Sequence, residues 1–116
     1  MGGFSQGGVV ALKYAMERAK IPAGVICLSG YMLKSESPAN VNKVSRLLMH
    51  GEKDEVIEEK AAKNTYMELL KNDNLTEYKR ITKLEHSVNL EELSDIKKWM
   101  GEVSFMIEQI YKKGEI

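Results

Sequence analysis

Gly3-Phe4-Ser5-Gln6-Gly7-Gly8, running directly into an amphipathic stretch that ends near Ala19, decides how this chain is read. Residues 3–7 fit the pattern Gly-x-Ser-x-Gly. That pattern sets a serine on a sharp strand-to-helix turn, where the backbone is strained and β-carbons crowd the neighbouring chain. Gly3 and Gly7 are expected to relieve that crowding, and the Ser5 hydroxyl is expected to project above a sheet. The N-terminus of the following helix offers positive potential to a developing oxyanion, with the backbone N–H of Gln6 as one donor. A glycine-rich capping loop with Ser5 as the cap explains the same residues without chemistry. The partners of Ser5 therefore carry the decision.

A nucleophilic serine needs a base, and the base needs an orienting carboxylate. The chain has two histidines. His50 lies in His50-Gly51-Glu52-Lys53-Asp54, and His86 in Glu85-His86-Ser87. The chain order serine, acid, histidine is met by Ser5, Asp54 and His86. Asp54 and His86 each fall just past a strand candidate, and parallel sheets gather catalytic groups at the carboxyl ends of their strands. His50 precedes the acid and reads as a structural histidine. Glu52, Glu55 and Glu85 compete with Asp54, and a charge run after a strand is usually a solvated loop. Only the combination with Ser5 and His86 singles Asp54 out. Cys27, mid-way along an apolar run, reads as a packed core thiol. Two histidines and one cysteine without clustered spacing give no zinc site.

Around these residues, helix and strand patterns alternate. Val9, Val10, Leu12, Ala15, Met16 and Ala19 recur at near-helical spacing from Gln6 onward. Ile21-Pro22 ends that helix near Lys20. Gly24–Ser29 and Arg46–His50 are short apolar runs closed by Gly30 and Gly51, the pattern of strands buried on both faces. Lys34–Asn42, which contains Pro38, reads as a surface loop, and Asn72-Asp73-Asn74 as a turn. Glu58–Leu70 is helical, with Ala61, Ala62, Tyr66, Leu69 and Leu70 as its inner stripe. Leu75–Ile81 fits an edge strand.

The last helix begins at Asn89, with Glu92 completing a capping box. Leu93, Ile96, Met100, Val103, Ile107 and Ile110 then form one stripe over about five turns. That stripe packs on a sheet or, alternatively, forms a coiled-coil seam. Helices between strands imply a mainly parallel sheet covered on both faces, an α/β architecture.

Composition bounds the rest. The 116 residues, 43% apolar, fit one small domain. Lysine plus arginine and aspartate plus glutamate both number 17. This balance gives no electrostatic case for nucleic acid or an anionic membrane as the main partner. A single cysteine excludes an internal disulfide. No apolar run approaches the roughly 18 residues of a membrane span.

Gly3-Phe4-Ser5-Gln6-Gly7-Gly8, Ala23-Gly24-Val25-Ile26, Leu28-Ser29-Gly30-Tyr31, His50-Gly51-Glu52-Lys53-Asp54-Glu55-Val56 and His86-Ser87 together resemble the phospholipase/carboxylesterase family, which includes the acyl-protein thioesterases, also called lysophospholipases. Order and spacing match along nearly all of the chain. The resemblance implies an α/β-hydrolase fold and a serine hydrolase needing no cofactor or metal. Ser5 would be the nucleophile, Asp54 the acid and His86 the base, acting on esters or thioesters of acyl chains. Palmitoyl-cysteine on proteins, lysophospholipids and small esters would be substrates. A mainly cytosolic family implies a cytoplasmic setting without stable membrane insertion. Two positions depart from the pattern. Glu85 replaces the usual glycine before the histidine, and Ile57-Glu58 stands where a proline is usual.

The resemblance also sets an expectation about extent. Residues 1–116 would be the carboxyl-terminal half of the hydrolase domain, starting at the nucleophile turn and lacking the N-terminal strands. The second oxyanion N–H would come from a loop outside the chain, whose own activity would then be lost or damaged. The Gly24–Ser29 strand would keep an open edge suited to dimerisation. A truncated, non-catalytic interaction module and a dienelactone-hydrolase-like carboxylesterase are the competing readings.

Overall fold

The computed structural model describes residues 1–17, 23–32, 44–71 and 75–112. The elements run β1 (Gly2–Phe4), α1 (Gln6–Glu17), β2 (Gly24–Leu28), β3 (Ser45–Gly51), α2 (Glu59–Leu70), β4 (Thr76–Ile81) and α3 (Leu90–Lys112). The four strands form one sheet in the order β1-β2-β3-β4, and every neighbouring pair is parallel. This is the architecture the alternating patterns imply. The predicted helix end near Lys20, the Lys34–Asn42 loop and the Asn72-Asp73-Asn74 turn lie outside the described residues.

One expectation is corrected at the start of the chain. The Gly24–Ser29 strand was expected to lack a neighbour on the Ser5 side. Instead Gly2, Gly3 and Phe4 pair with Ile26, Cys27 and Leu28. Three residues are too few to show a period, but their peptide groups continue the ladder. The turn at Ser5 thus follows a strand.

Alternation along the strands divides the core into two clusters. On one face, Val25, Cys27 and Leu48 meet Ala11, Leu12 and Ala15 of α1 and Leu69 of α2. On the other, Leu47, Met49 and Ile81 meet Leu84 and Trp99, with Ile96 and Val103 beside them. All seven residues of β3 are buried, the mark of a strand covered on both sides. β4 is an edge strand, as its mixed sequence predicts.

The helices turn slightly from their predicted faces. In α1, Ala11 is buried and Val10 is exposed. In α2, Thr65 joins Ala62 and Leu69 inside. Its hydroxyl donates to the Ala61 carbonyl at 3.0 Å and accepts the Met32 N–H at 2.8 Å.

The correction is larger in α3. Leu93 and Met100 are 52% and 54% exposed, whereas Trp99 is 6% exposed and Glu92 fully buried. The inner face is Glu92, Ile96, Trp99 and Val103, which repeats at the same helical spacing. Asn89 caps the helix as expected, its Oδ1 accepting the Glu92 N–H at 2.9 Å. The reciprocal half of the capping box is not formed. Both Glu92 carboxylate oxygens are buried without a hydrogen-bond partner among the described residues, and burial pushes the carboxyl above its ordinary range.

Candidate active site

In a parallel sheet all strands end on the same edge. Ser5 follows β1, Asp54 follows β3 and His86 follows β4, so three residues far apart in sequence converge there. The Ser5 hydroxyl oxygen lies 3.0 Å from His86 Nε2. His86 Nδ1 lies 2.7 Å from Asp54 Oδ2.

Each of the three is fixed by its local backbone. Ser5 has φ 56, in the left-handed region that a side chain rarely occupies. The turn is tied down by the Ser5 N–H, which donates to the Leu28 carbonyl at 2.7 Å. Gly3 is required here, since a β-carbon would sit 2.2 Å from the Gly7 carbonyl oxygen. Gly7 itself faces open space, which corrects the expectation that both pattern glycines relieve crowding. The second close approach belongs to Gly8, where a β-carbon would lie 2.8 Å from Cys27 Sγ. Burial pushes the Cys27 thiol up to about 12, so it stays a packed thiol, as read from the sequence.

Asp54 lies in a turn that wraps its own carboxylate. Oδ1 accepts the N–H groups of Val56 at 2.9 Å and Ile57 at 2.8 Å, leaving Oδ2 to His86. Burial alone would raise the carboxyl. The Ile57 N–H, His86 and the Val56 N–H together outweigh it and hold the carboxyl below its ordinary value. The side chain is fully buried.

His86 is held from two sides. The segment before it is laced to the Asp54 turn, with the Lys53 N–H donating to the Leu84 carbonyl at 2.9 Å. The Phe4 ring packs against the imidazole, centroids 4.8 Å apart. Exposed Glu85 does not displace the ring from Ser5 or Asp54. Gln6 is the first residue of α1. The first N–H groups of a helix have no intrahelical acceptor, and they face outward with the positive end of the helix dipole.

The sequence model of the phospholipase/carboxylesterase family matches residues 1–104. The chain belongs to this family. Its solved neighbours repeat the fold. Esterase PE8 superposes with a TM-score of 0.81 at 22% identity, over 88% of this chain and 48% of its own. SOBER1 of Arabidopsis thaliana gives 0.79 at 25% identity, over 88% and 51%. Acyl-protein thioesterase 2 of Zea mays gives 0.73 at 21%, over 88% and 54%. The chain thus spans about half the length of these solved neighbours. No curated protein matches it in sequence.

Sequence reasoning underrated two residues, Phe4 and Gly51, and left unseen one contact of His50. Phe4 reads only as part of a motif, yet its ring contacts His86. Gly51 closed a strand, yet it lets the His86 segment approach. His50, read as structural, is buried with its Nε2 2.6 Å from the Ile57 carbonyl oxygen, and that nitrogen also lies 3.3 Å from Asp54 Oδ2. Their spacing to the motif residues was visible, but their contacts run between separate strand ends. Among the described residues no group of histidine, cysteine and carboxylate side chains is arranged to hold a metal, and no helix is long and apolar enough to cross a membrane.

Proposed function

We propose that the protein is a serine hydrolase of carboxylic esters and thioesters, acting through an acyl-enzyme on Ser5. The single observation that carries this reading is the unbroken chain from Ser5 Oγ through His86 to Asp54, at 3.0 and 2.7 Å. His86 takes the Ser5 proton as the oxygen attacks the acyl carbonyl. The resulting oxyanion faces the Gln6 N–H at the helix N-terminus. Collapse expels the alcohol or thiol, which leaves with the proton from His86. Water, deprotonated by His86, then releases the acid and frees Ser5. Asp54 stays ionised throughout and stabilises the imidazolium.

The acyl chain is the natural specificity element. Phe4, Val56 and Val88, each within two residues of a triad member, are exposed apolar side chains, and such side chains suit a hydrocarbon chain better than a charged group. Acylated proteins, lysophospholipids and small esters are the substrate classes this favours, in keeping with family membership.

The test is hydrolysis of nitrophenyl esters and acyl-thioesters of increasing chain length by the folded protein. Turnover that rises with acyl length and disappears in Ser5→Ala supports the reading. Turnover that survives Ser5→Ala rejects it.

A further inference from the structure

We propose that His50 is a positioning residue that sets the Asp54 carboxylate, and through it the tautomer of His86. The proposal rests on the reading of Ser5, Asp54 and His86 as a triad. His50 is the penultimate residue of β3 and is fully buried. Its Nε2 lies 2.6 Å from the carbonyl oxygen of Ile57. A carbonyl only accepts, so Nε2 carries the proton. Nδ1 has no hydrogen-bond partner among the described residues, which favours the same assignment. The same nitrogen lies 3.3 Å from Asp54 Oδ2, with its N–H directed at the Ile57 carbonyl.

The consequence lies in residue 57. The Ile57 N–H donates to Asp54 Oδ1 at 2.8 Å, and the Ile57 carbonyl accepts from His50. Ile57 is thereby held at both ends, and the turn from residue 51 to 57 closes on itself. Residues 52–58 contain no proline to stiffen that turn by a fixed φ. The contact to Oδ2 is longer than the 2.7 Å bond from His86. It therefore aligns the carboxylate without competing for it. A residue that merely filled space among the buried side chains of β3 would need no N–H at this place.

Two histidines make the test direct, because two-bond nitrogen–proton spectra at alkaline pH report the tautomer of each ring. The wild type is expected to carry its proton on Nε2 of His50 and on Nδ1 of His86. In His50→Leu, of similar bulk, the His86 proton should redistribute between its nitrogens. Labelling of Ser5 by a fluorophosphonate should slow by about 10- to 100-fold, the scale of a small misplacement of reacting groups. His50→Gln, whose amide reaches the Ile57 carbonyl, should recover most of both. A proton on Nδ1 of His50, or an unchanged His86 tautomer in His50→Leu, overturns the proposal. If His50→Leu does not fold, His50→Gln and His50→Asn decide. The shorter amide should lose the His86 tautomer while the longer keeps it, and equal behaviour overturns the proposal. If wild-type Ser5 is never labelled, the triad reading fails, while the tautomer measurements still decide the hold of His50 on Asp54.

Discussion

Gly51 and Leu84 approach so closely that a β-carbon at residue 51 would lie 2.2 Å from the Leu84 carbonyl oxygen and 2.6 Å from that of Glu85. Here the turn bearing Asp54 meets the segment bearing His86. The two are further tied by the Glu52 N–H to the Ile81 carbonyl and the Lys53 N–H to the Leu84 carbonyl, both at 2.9 Å. Backbone cannot move aside as a flexible side chain can. Gly51→Ala should therefore cost about 1–3 kcal/mol of stability and slow reaction at Ser5 by about 100-fold through misplacement of His86. Denaturant unfolding together with probe-labelling rates checks both effects.

Glu92 should weaken the fold at neutral pH. Its carboxylate is buried without a partner among the described residues. Burial, the largest cause, raises its folded-state value; the Asn89 backbone N–H opposes this in part, and the nearby Glu91 and Asp95 charges raise it further. A carboxyl raised on folding is least costly below its unfolded value, and the cost grows as pH rises through the folded value. Glu92→Gln, which keeps the backbone bond to Asn89, should be more stable than wild type by about 1 kcal/mol at neutral pH. The advantage should vanish in acid, as thermal melting across pH would show.

Asp54 has the opposite sign. Its folded-state value lies below the ordinary 3.8. Its contribution is fully present above that value and is lost as pH falls from roughly 4 through the lower folded value. Wild type should lose stability over that window, and Asp54→Asn should lack this step. At neutral pH the same variant should slow labelling of Ser5 by about 10,000-fold, because an amide no longer selects the His86 tautomer.

Much of this was legible because the chemistry is sparse. With one cysteine and two histidines, the order of Ser5, Asp54 and His86 left few ways to build a nucleophile and base. Apolar runs such as Gly24–Ser29 and Arg46–His50 could bury both faces only as inner strands. The misses have physical reasons. Gly2–Phe4 is too short to carry a period. In the last helix two stripes share one spacing, and the choice between them depends on Gly24. A β-carbon at Gly24 would lie 2.9 Å from the Trp99 ring, so the glycine leaves room for Trp99 on the inner face, where Leu93 and Met100 are absent. Contacts of this kind link residues 75 positions apart and leave no local pattern.

Cys27 should be silent in the folded protein. Its thiol is buried and raised to about 12, so little thiolate forms at neutral pH. Iodoacetamide should leave native chain unmodified and alkylate one site after unfolding, as counted by intact mass.

The most direct test of the central claim is the site of fluorophosphonate attachment on folded chain, mapped by peptide mass spectrometry. A single adduct on Ser5, lost in His86→Ala, is the result expected of a hydroxyl activated through His86 and Asp54. A folded protein with no adduct, or with an adduct on Ser5 that persists at full rate in His86→Ala, would contradict it.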